Sequence, residues 1–454
     1  MNAFGERLRE LRTAREISIK QLAKHLGVSH TYISHIENGR STISDKLVSK
    51  IARFLKANDE ELKLLTGRVP KDVFNIFYEH PKEALSFIRE KFPSYQATLT
   101  SQLTLPVITG KTITDFPSTR FQGSKLKLLN WIWDNIKHLD FSSALDAFGG
   151  TGSVSYLFKT HNKSVTYNDQ LHFNHLIGKA LIENSSVTID ENDLNFILGK
   201  HPSINYRSVV ADNFKSIYFT DEENHWIDRT VQNIMRLDNR YKQALTYFAL
   251  FQACIIKRPY NLFHRKNLYV RLASVERSFG NKTTWDKPFE THFLNFVKEA
   301  NNAIFDNEQS CRALNEDAFE INTHYDLVYI DTPYMNKQGV SVDYYDFYHF
   351  LEGLTGYNNW SKQIDYESKH RRLKPKYSVW SDRQGIHDAF RKLFHRFRNS
   401  IIVVSYRNDG IPSEEELVGM LKEVKRKVTL VRYGPYKYVL SKNGESKEIL
   451  LIGE

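Results

Sequence analysis

Cysteine is scarce in this sequence. Cys254 and Cys311 are the only two in 454 residues, which leaves no basis for a disulfide framework or a thiolate-held metal. Long apolar runs are missing too. The opening stretch MNAFGERLRE has no secretory-type hydrophobic segment, and no window has the length and apolarity of a membrane span. A soluble chain in a reducing, intracellular setting is expected. Acids are outnumbered, with 53 Asp and Glu against 63 Lys and Arg and a formal charge of +10. That excess points modestly toward a polyanionic partner. No carboxylate–lysine cluster of the nuclease kind stands out.

Core-forming material is plentiful. Apolar residues make up 41% of the chain, with 29 Phe and 24 Tyr, and the length predicts two or three domains. The most informative stretch is Val328-Tyr329-Ile330-Asp331-Thr332-Pro333-Tyr334. A β-branched and aromatic run ends abruptly in an acid, a proline and a ring. It reads as a buried strand of an α/β sheet that the proline terminates, with Asp331 at its carboxyl end, where such sheets bind ligands. The same tetrapeptide also suits an ordinary strand end followed by a turn.

A second strand, around Ala144-Leu145-Asp146, runs through Phe148-Gly149-Gly150-Thr151-Gly152 into a helix expected to begin near Ser153. Glycines let backbone approach a ligand, and the helix start offers free N–H groups. The pattern is not the Gly-x-Gly-x-x-Gly of dinucleotide sites. A third strand, Lys163 to Tyr167, ends in Asn168-Asp169. An acid there can accept both hydroxyls of a ribose, whichever adenosine-containing cofactor is bound.

Residues 1–68 carry helical periodicity of a different kind. Phe4, Leu8 and Leu11 mark a first helix, Ser18 caps IKQLAKHL, Gly27 makes a turn, and Ser29 caps HTYISHIENG. Residues 69–115 read as two short helices and then an extended, Thr- and Ser-containing linker. Residues 172–310 number about 140, too many for a connection. They are mainly helical in pattern and include the basic, aromatic-laced IIKRPYNLFHRKNLYVR. Basic and planar side chains together suit phosphate contact and base stacking, so Lys257, Arg258, Arg265, Lys266 and Arg271 are candidate DNA contacts.

Taken in order, these motifs resemble the alpha-class, Dam-like D12 adenine-specific DNA N6-methyltransferases. Asp331-Thr332-Pro333-Tyr334 matches their Asp-Pro-Pro-Tyr, with threonine as a departure. Phe121-Gln122-Gly123-Ser124-Lys125 matches Phe-x-Gly-x-Lys, and Asp146 to Gly152 matches their glycine motif. The resemblance implies a Rossmann-like α/β S-adenosylmethionine-dependent fold at 116–171 and 311–454, with 172–310 as a target-recognition insertion. It implies cofactor contacts from Phe121, Lys125, Asp146, Phe148, Gly150, Gly152, Asp169 and Asp317. Asp331 and the Pro333 carbonyl would hold the amino group of a flipped adenine, and Tyr334 would stack on its ring. No metal is expected. Asp331 opening the motif favours adenine N6, with cytosine N4 as the alternative; cytosine C5 chemistry lacks a suitably placed thiolate. A non-catalytic transcriptional regulator is the rival from another class.

Residues 1–68 are similar to the Cro/repressor helix-turn-helix family, an all-α module. In that fold His30, Thr31, Tyr32 and His35 face base edges, Lys20, Lys24 and Arg40 meet phosphates, and Arg12 pairs with Glu37. Ile19 stands where many members carry glutamine. Such modules bind DNA, dimerise or dock proteins. The whole implies a modification enzyme acting on double-stranded DNA in the bacterial or archaeal cytoplasm, at the nucleoid. A neighbouring restriction endonuclease, dimerisation and autoregulation through the amino-terminal module are further expectations.

Overall fold

The computed structural model describes residues 3–15, 17–37, 43, 45–66, 87, 111–273, 282–434 and 446–454. Arg40 and most of the expected linker 69–115 lie outside them, as does 435–441, which reads in the sequence as a strand. The chain divides into two compact units, Met1–Thr104 and Leu105–Glu454.

The first unit contains α1 (Ala3–Thr13), α2 (Ile19–Leu26), α3 (His30–Glu37), α4 (Asp45–Phe54) and α5 (Asp59–Leu65). Ser18 and Gln21 form a reciprocal cap: the Gln21 N–H donates to Ser18 Oγ at 3.2 Å, and the Ser18 N–H donates to Gln21 Oε1 at 2.7 Å. This satisfies two of the donors a helix start leaves open. Gly27, at φ +71°, ends α2 in the left-handed region, and Ser29 caps α3 through the Tyr32 N–H at 3.1 Å. Leu8, Leu22, Ile33, Val48 and Ile51 close the core. The expected Arg12–Glu37 pair is present. Arg12 Nε donates to Glu37 Oε1 at 2.6 Å and its Nη2 to Oε2 at 3.1 Å, with Glu37 only 1% exposed. Arg9 Nε also reaches Glu37 Oε2 at 3.4 Å, so the buried carboxylate has two cationic partners.

The second unit is built on a seven-stranded sheet. Its strands are β1 (Ser143–Asp146), β2 (Ser164–Asn168), β3 (Arg312–Leu314), β4 (Leu327–Ile330), β6 (Ile401–Arg407), β8 (Val428–Tyr433) and β9 (Glu448–Gly453), in the order β3-β2-β1-β4-β6-β9-β8. β5 (Met335–Asn336) and β7 (Gly410–Ile411) form a separate ribbon. From β3 to β6 all neighbours are parallel, and β9 is antiparallel to both β6 and β8. The chain runs outward from β1 to β3 and then returns to lay β4 beside β1. The strand order therefore reverses between β1 and β4, which opens a crevice at their carboxyl ends. Asp146 ends β1 and Asp331 follows β4, and this reversal brings them together.

Alternation along each strand divides the core into two. Ala144, Val165, Tyr167, Leu327, Tyr329 and Val403 face one layer, and Leu145, Val328, Ile330, Ile402 and Val404 face the other. The second layer is completed by Ile386–Arg396 and Glu414–Lys422. The first is completed by Leu129–Ile136 and Ser153–Thr160, and also by helices from 172–310 such as Arg240–Ile256 and Phe289–Ala303. Arg240–Ile256 is buried continuously from Ala244 to Ile255. A helix apolar all round belongs inside a core, so this insertion shares the core of the sheet. The closing segment ESKEILLIGE reads in the sequence as an edge strand. Instead β9 lies between β6 and β8 with all six residues buried, because β8 takes the edge.

Candidate active site

At the carboxyl ends of β1 and β4 lies a cavity of about 1490 Å³. Phe121, Lys125, Asp146, Phe148, Gly150, Asp169, Asp317, Asp331, Pro333 and Tyr334 all line it. Of the residues expected to hold cofactor or base, only Gly152 does not. It sits at φ +77° before Ser153–Thr160, with Tyr167 and Ile182 behind it, and shapes the turn instead. Gly149 is there for space, since a Cβ would come within 2.1 Å of the Tyr167 ring.

Asp146 is 1% exposed. Its Oδ2 accepts from the Ser155 hydroxyl at 2.8 Å, and its Oδ1 has no hydrogen-bond partner. Burial pushes this carboxyl up to about 7, against the Ser155 hydrogen bond, with Asp331 and Asp169 adding like charge. A buried carboxylate oxygen without a donor is costly, and in a cavity wall it suits a cationic ligand group. Asp169 is fully engaged. It accepts from the Gly150 N–H at 3.0 Å, the Leu171 N–H at 2.8 Å and Asn174 Nδ2 at 3.1 Å, which ties the glycine turn to the end of β2. Burial raises Asp169 to about 6.

The Asp331 end is a compact charged network. Lys125 Nζ donates to Asp331 Oδ1 at 2.8 Å and to the Tyr334 oxygen at 2.5 Å. The Tyr334 hydroxyl lies 3.0 Å from Asp331 Oδ1 and 2.6 Å from Glu448 Oε1. Burial lifts the Asp331 carboxyl to about 6, opposed chiefly by the Lys125 charge. Lys125 thus reaches past the cofactor side to the acid of the Asp-Thr-Pro-Tyr turn. Thr332, the departure from the family pattern, is 2% exposed, and its hydroxyl has no partner.

Aromatic residues complete the walls. Trp380 stacks on Phe319 at 5.7 Å and 13° and meets Phe148 edge-on at 5.1 Å, beside Asp317, whose Oδ1 accepts from the Phe319 N–H at 3.0 Å. Phe121 lies nearly parallel to Tyr348 at 4.3 Å and to Tyr344 at 5.6 Å. Gly123, at φ +85°, leaves room for the Tyr344 hydroxyl, which a Cβ would meet at 2.4 Å. Sequence reasoning missed Trp380 and Glu448. Trp380 lies in a short 3₁₀ turn, and Glu448 reaches the site only through the insertion of β9 into the sheet.

Two family models match. Residues 3–65 match "Helix-turn-helix domain", and residues 121–404 match "D12 class N6 adenine-specific DNA methyltransferase". The chain belongs to the D12 class. It is 29% identical over 345 residues to "Type II methyltransferase M2.HphI" of Haemophilus parahaemolyticus, covering 74% of this chain and 97% of that protein. It is also 29% identical over 363 residues to "Modification methylase StsI" of Streptococcus sanguinis, where the match spans 73% of this chain but only 50% of that protein. The amino-terminal part is 40% identical over 70 residues to "HTH-type transcriptional repressor RghR" of Bacillus subtilis, 15% of this chain and 52% of that protein. A helix-turn-helix domain is therefore joined to a D12-class adenine-specific DNA methyltransferase domain, and membership of that class implies use of S-adenosylmethionine.

Three of the cations expected to touch DNA in this D12-class chain are buried. Lys257, Arg258 and Arg271 are 2%, 1% and 4% exposed. Arg258 donates to the carbonyls of Leu262, Tyr218 and Arg265, while Lys257 and Arg271 both pair with Glu223 at 2.7 Å. They organise the insertion and are not available to a phosphate. Arg265 and Lys266 are exposed. Lys266 shares a cleft of about 390 Å³ with Lys215, Lys369 and Arg371, and with the acids Asp212 and Glu367. In the amino-terminal unit His30, Thr31 and His35 are exposed, and Tyr32 packs partly on the core. Among the described residues no helix is long and apolar enough to cross a membrane.

Proposed function

We propose that this chain is a site-specific DNA methyltransferase that transfers the methyl group of S-adenosylmethionine to N6 of an adenine turned out of double-stranded DNA. The observation that carries this reading is the meeting of Asp146 and the Asp331-Thr332-Pro333-Tyr334 turn in one cavity. The strand order and the reversal between β1 and β4 support a Rossmann-like S-adenosylmethionine-dependent fold.

The cavity fits the cofactor. The partnerless Asp146 Oδ1 suits its ammonium group, the Gly149–Gly150 backbone allows close approach, and Phe148, Phe319 and Trp380 offer flat faces beside Asp317 for its adenine. When bound, S-adenosylmethionine supplies a methyl group on a positively charged sulfur. The chain's own residues handle the acceptor. The lone pair of an adenine amine is delocalised into its ring. An N–H accepted by the Asp331 carboxylate, with the Pro333 carbonyl as second acceptor, localises it. Proline stiffens that turn, and the Tyr334 face receives the base. Positioning is the main catalytic term in such a site.

The test is the product. DNA treated with the purified chain and S-adenosylmethionine, digested and examined by mass spectrometry, should contain N6-methyladenine as the new nucleoside. N4-methylcytosine alone would overturn the adenine assignment, and no new nucleoside would favour a regulator that binds without reacting.

A role as modification enzyme of a restriction–modification system, with an endonuclease partner and residence at the nucleoid, follows from the same reading. The names of two relatives, one a type II methyltransferase and the other a modification methylase, support the modification role. For the amino-terminal module we favour autoregulation through a separate, palindromic operator, bound as a dimer, since the catalytic unit carries its own insertion. Footprinting with the full chain should then protect a site distinct from the methylated sequences; protection only at methylated sequences would sink the idea.

A further inference from the structure

Glu448 belongs to none of the motifs legible in the sequence, yet it is the buried hub behind the Asp331 turn. It is 0% exposed. Its Oε1 accepts from the Ser405 hydroxyl at 2.7 Å, lies 2.6 Å from the Tyr334 hydroxyl and lies 3.4 Å from Lys125 Nζ. The same two donors reach Asp331 Oδ1, at 3.0 Å from Tyr334 and 2.8 Å from Lys125. Two donors therefore stand between two carboxylates. A phenol has one proton to give, so the Tyr334 hydroxyl donates to Asp331 or to Glu448 and not to both at once. Lys125, already bonded to the Tyr334 oxygen at 2.5 Å, has protons for both acids.

This arrangement bears on how a base reaches Asp331, and it rests on the function proposed above. With Lys125 and Tyr334 on Oδ1, Asp331 keeps Oδ2 for an incoming amine, and its side chain is 16% exposed. An amine on Oδ2 draws the carboxylate charge away from Oδ1 and loosens its hold on an ammonium and a phenol inside a buried site, and donors left without an acceptor there are costly. We propose that Glu448 is a positioning residue: it takes over Lys125 and Tyr334 when an exocyclic amine claims Asp331. Both donors then keep an acceptor throughout.

The backbone of Glu448 is held on both sides, opposite Arg407 of β6 and Tyr433 of β8, and Ser405 fixes its Oε1. The acceptor therefore stays in place while the donors move. Among the described residues, the groups acting electrostatically on Asp331 include the Lys125 cation, Glu448, Tyr334, Asp146, Tyr329 and Tyr344. Removing the Glu448 charge leaves Lys125 committed to Asp331 and also deletes a like charge beside it.

The experiment compares full-length wild type, Glu448→Gln and Glu448→Asp. Affinity for S-adenosylmethionine is measured by equilibrium dialysis. Single-turnover transfer of labelled methyl to unmodified genomic DNA is measured from pH 5.5 to 8.5. The Gln variant should bind cofactor within about twofold of wild type and transfer about tenfold more slowly. The acid limb of its rate profile should move to lower pH, because a like charge that raises the Asp331 carboxyl is gone. The Asp variant keeps the charge and should move the limb back toward wild type.

Equal rates with coincident limbs in wild type and Gln variant would overturn the proposal while leaving the methyltransferase reading intact. Loss of cofactor affinity in the Gln variant would make Glu448 a general support of the fold and overturn it too. A wild-type chain that binds cofactor but methylates no DNA would instead refute the functional reading, and the role of Glu448 would fall with it.

Discussion

Asp331→Ala should abolish detectable methyl transfer while leaving S-adenosylmethionine affinity within about threefold of wild type. The proposed partner of Asp331 is the amine of the base, so its removal acts after cofactor binding. Loss of one rigidly held polar group that acts on developing charge costs about 10²–10³-fold, and the accompanying loss of base orientation adds to it. The variant is expected to fold. Lys125, 7% exposed, keeps Glu448 at 3.4 Å and the Tyr334 oxygen at 2.5 Å, so its ammonium is not stranded. Single-turnover transfer and equilibrium dialysis on the same preparation decide the matter. Wild-type transfer would remove Asp331 from the reaction, and lost cofactor binding would move it to the cofactor side. Asp331→Asn, close in shape, checks that the charge and not the volume is responsible.

The second large effect belongs to Asp146. Asp146→Asn should weaken S-adenosylmethionine binding about 10–100-fold, the range expected when one charge-assisted hydrogen bond is lost. It should also change the pH dependence. Burial raises the Asp146 carboxyl to about 7 in the unliganded protein, and the cationic group it is proposed to hold binds the ionised form. Wild-type affinity should therefore fall as pH drops through about 7 and rise above it. The Asn variant, with nothing to ionise there, should lose that part of the slope. Titration calorimetry at pH 6, 7 and 8 measures both, and parallel slopes in the two proteins would show that the Asp146 Oδ1 is not the group that meets the cofactor's charge.

How much of this was visible in the sequence differs from element to element, for physical reasons. The strand ending at Asp331 was legible because a buried β run stopped by proline has few other meanings, and β4 is indeed buried throughout. The glycine turn after Asp146 and the caps at Ser18 and Ser29 were legible because they are local: each needs particular residue types within a few positions. The role of Gly152 was less so, since a glycine that faces a ligand and one that makes room for a turn look alike in sequence.

The charges of the insertion misled for a related reason. Lys257, Arg258 and Arg271 look like a basic face when counted along the chain, but Glu223 and several backbone carbonyls, distant in sequence, neutralise or bond them. Glu448 was invisible because its function is set by sheet order. Nothing in ESKEILLIGE says that its second glutamate will stand behind Tyr334.

The position of β9 also matters during synthesis of the protein. β6 and β8 are made before it, yet in the finished sheet they do not touch, because β9 lies between them. A nascent chain stalled short of residue 448 can already hold the glycine turn and Asp331, but β8 has no strand to join and Glu448 has not been made. Translation must pass the last strand before Lys125 and Tyr334 have their second acceptor. If Glu448 has the role proposed for it, chains that stop before residue 448 are expected to transfer methyl groups poorly, and the activity emerges only after β9 has been made.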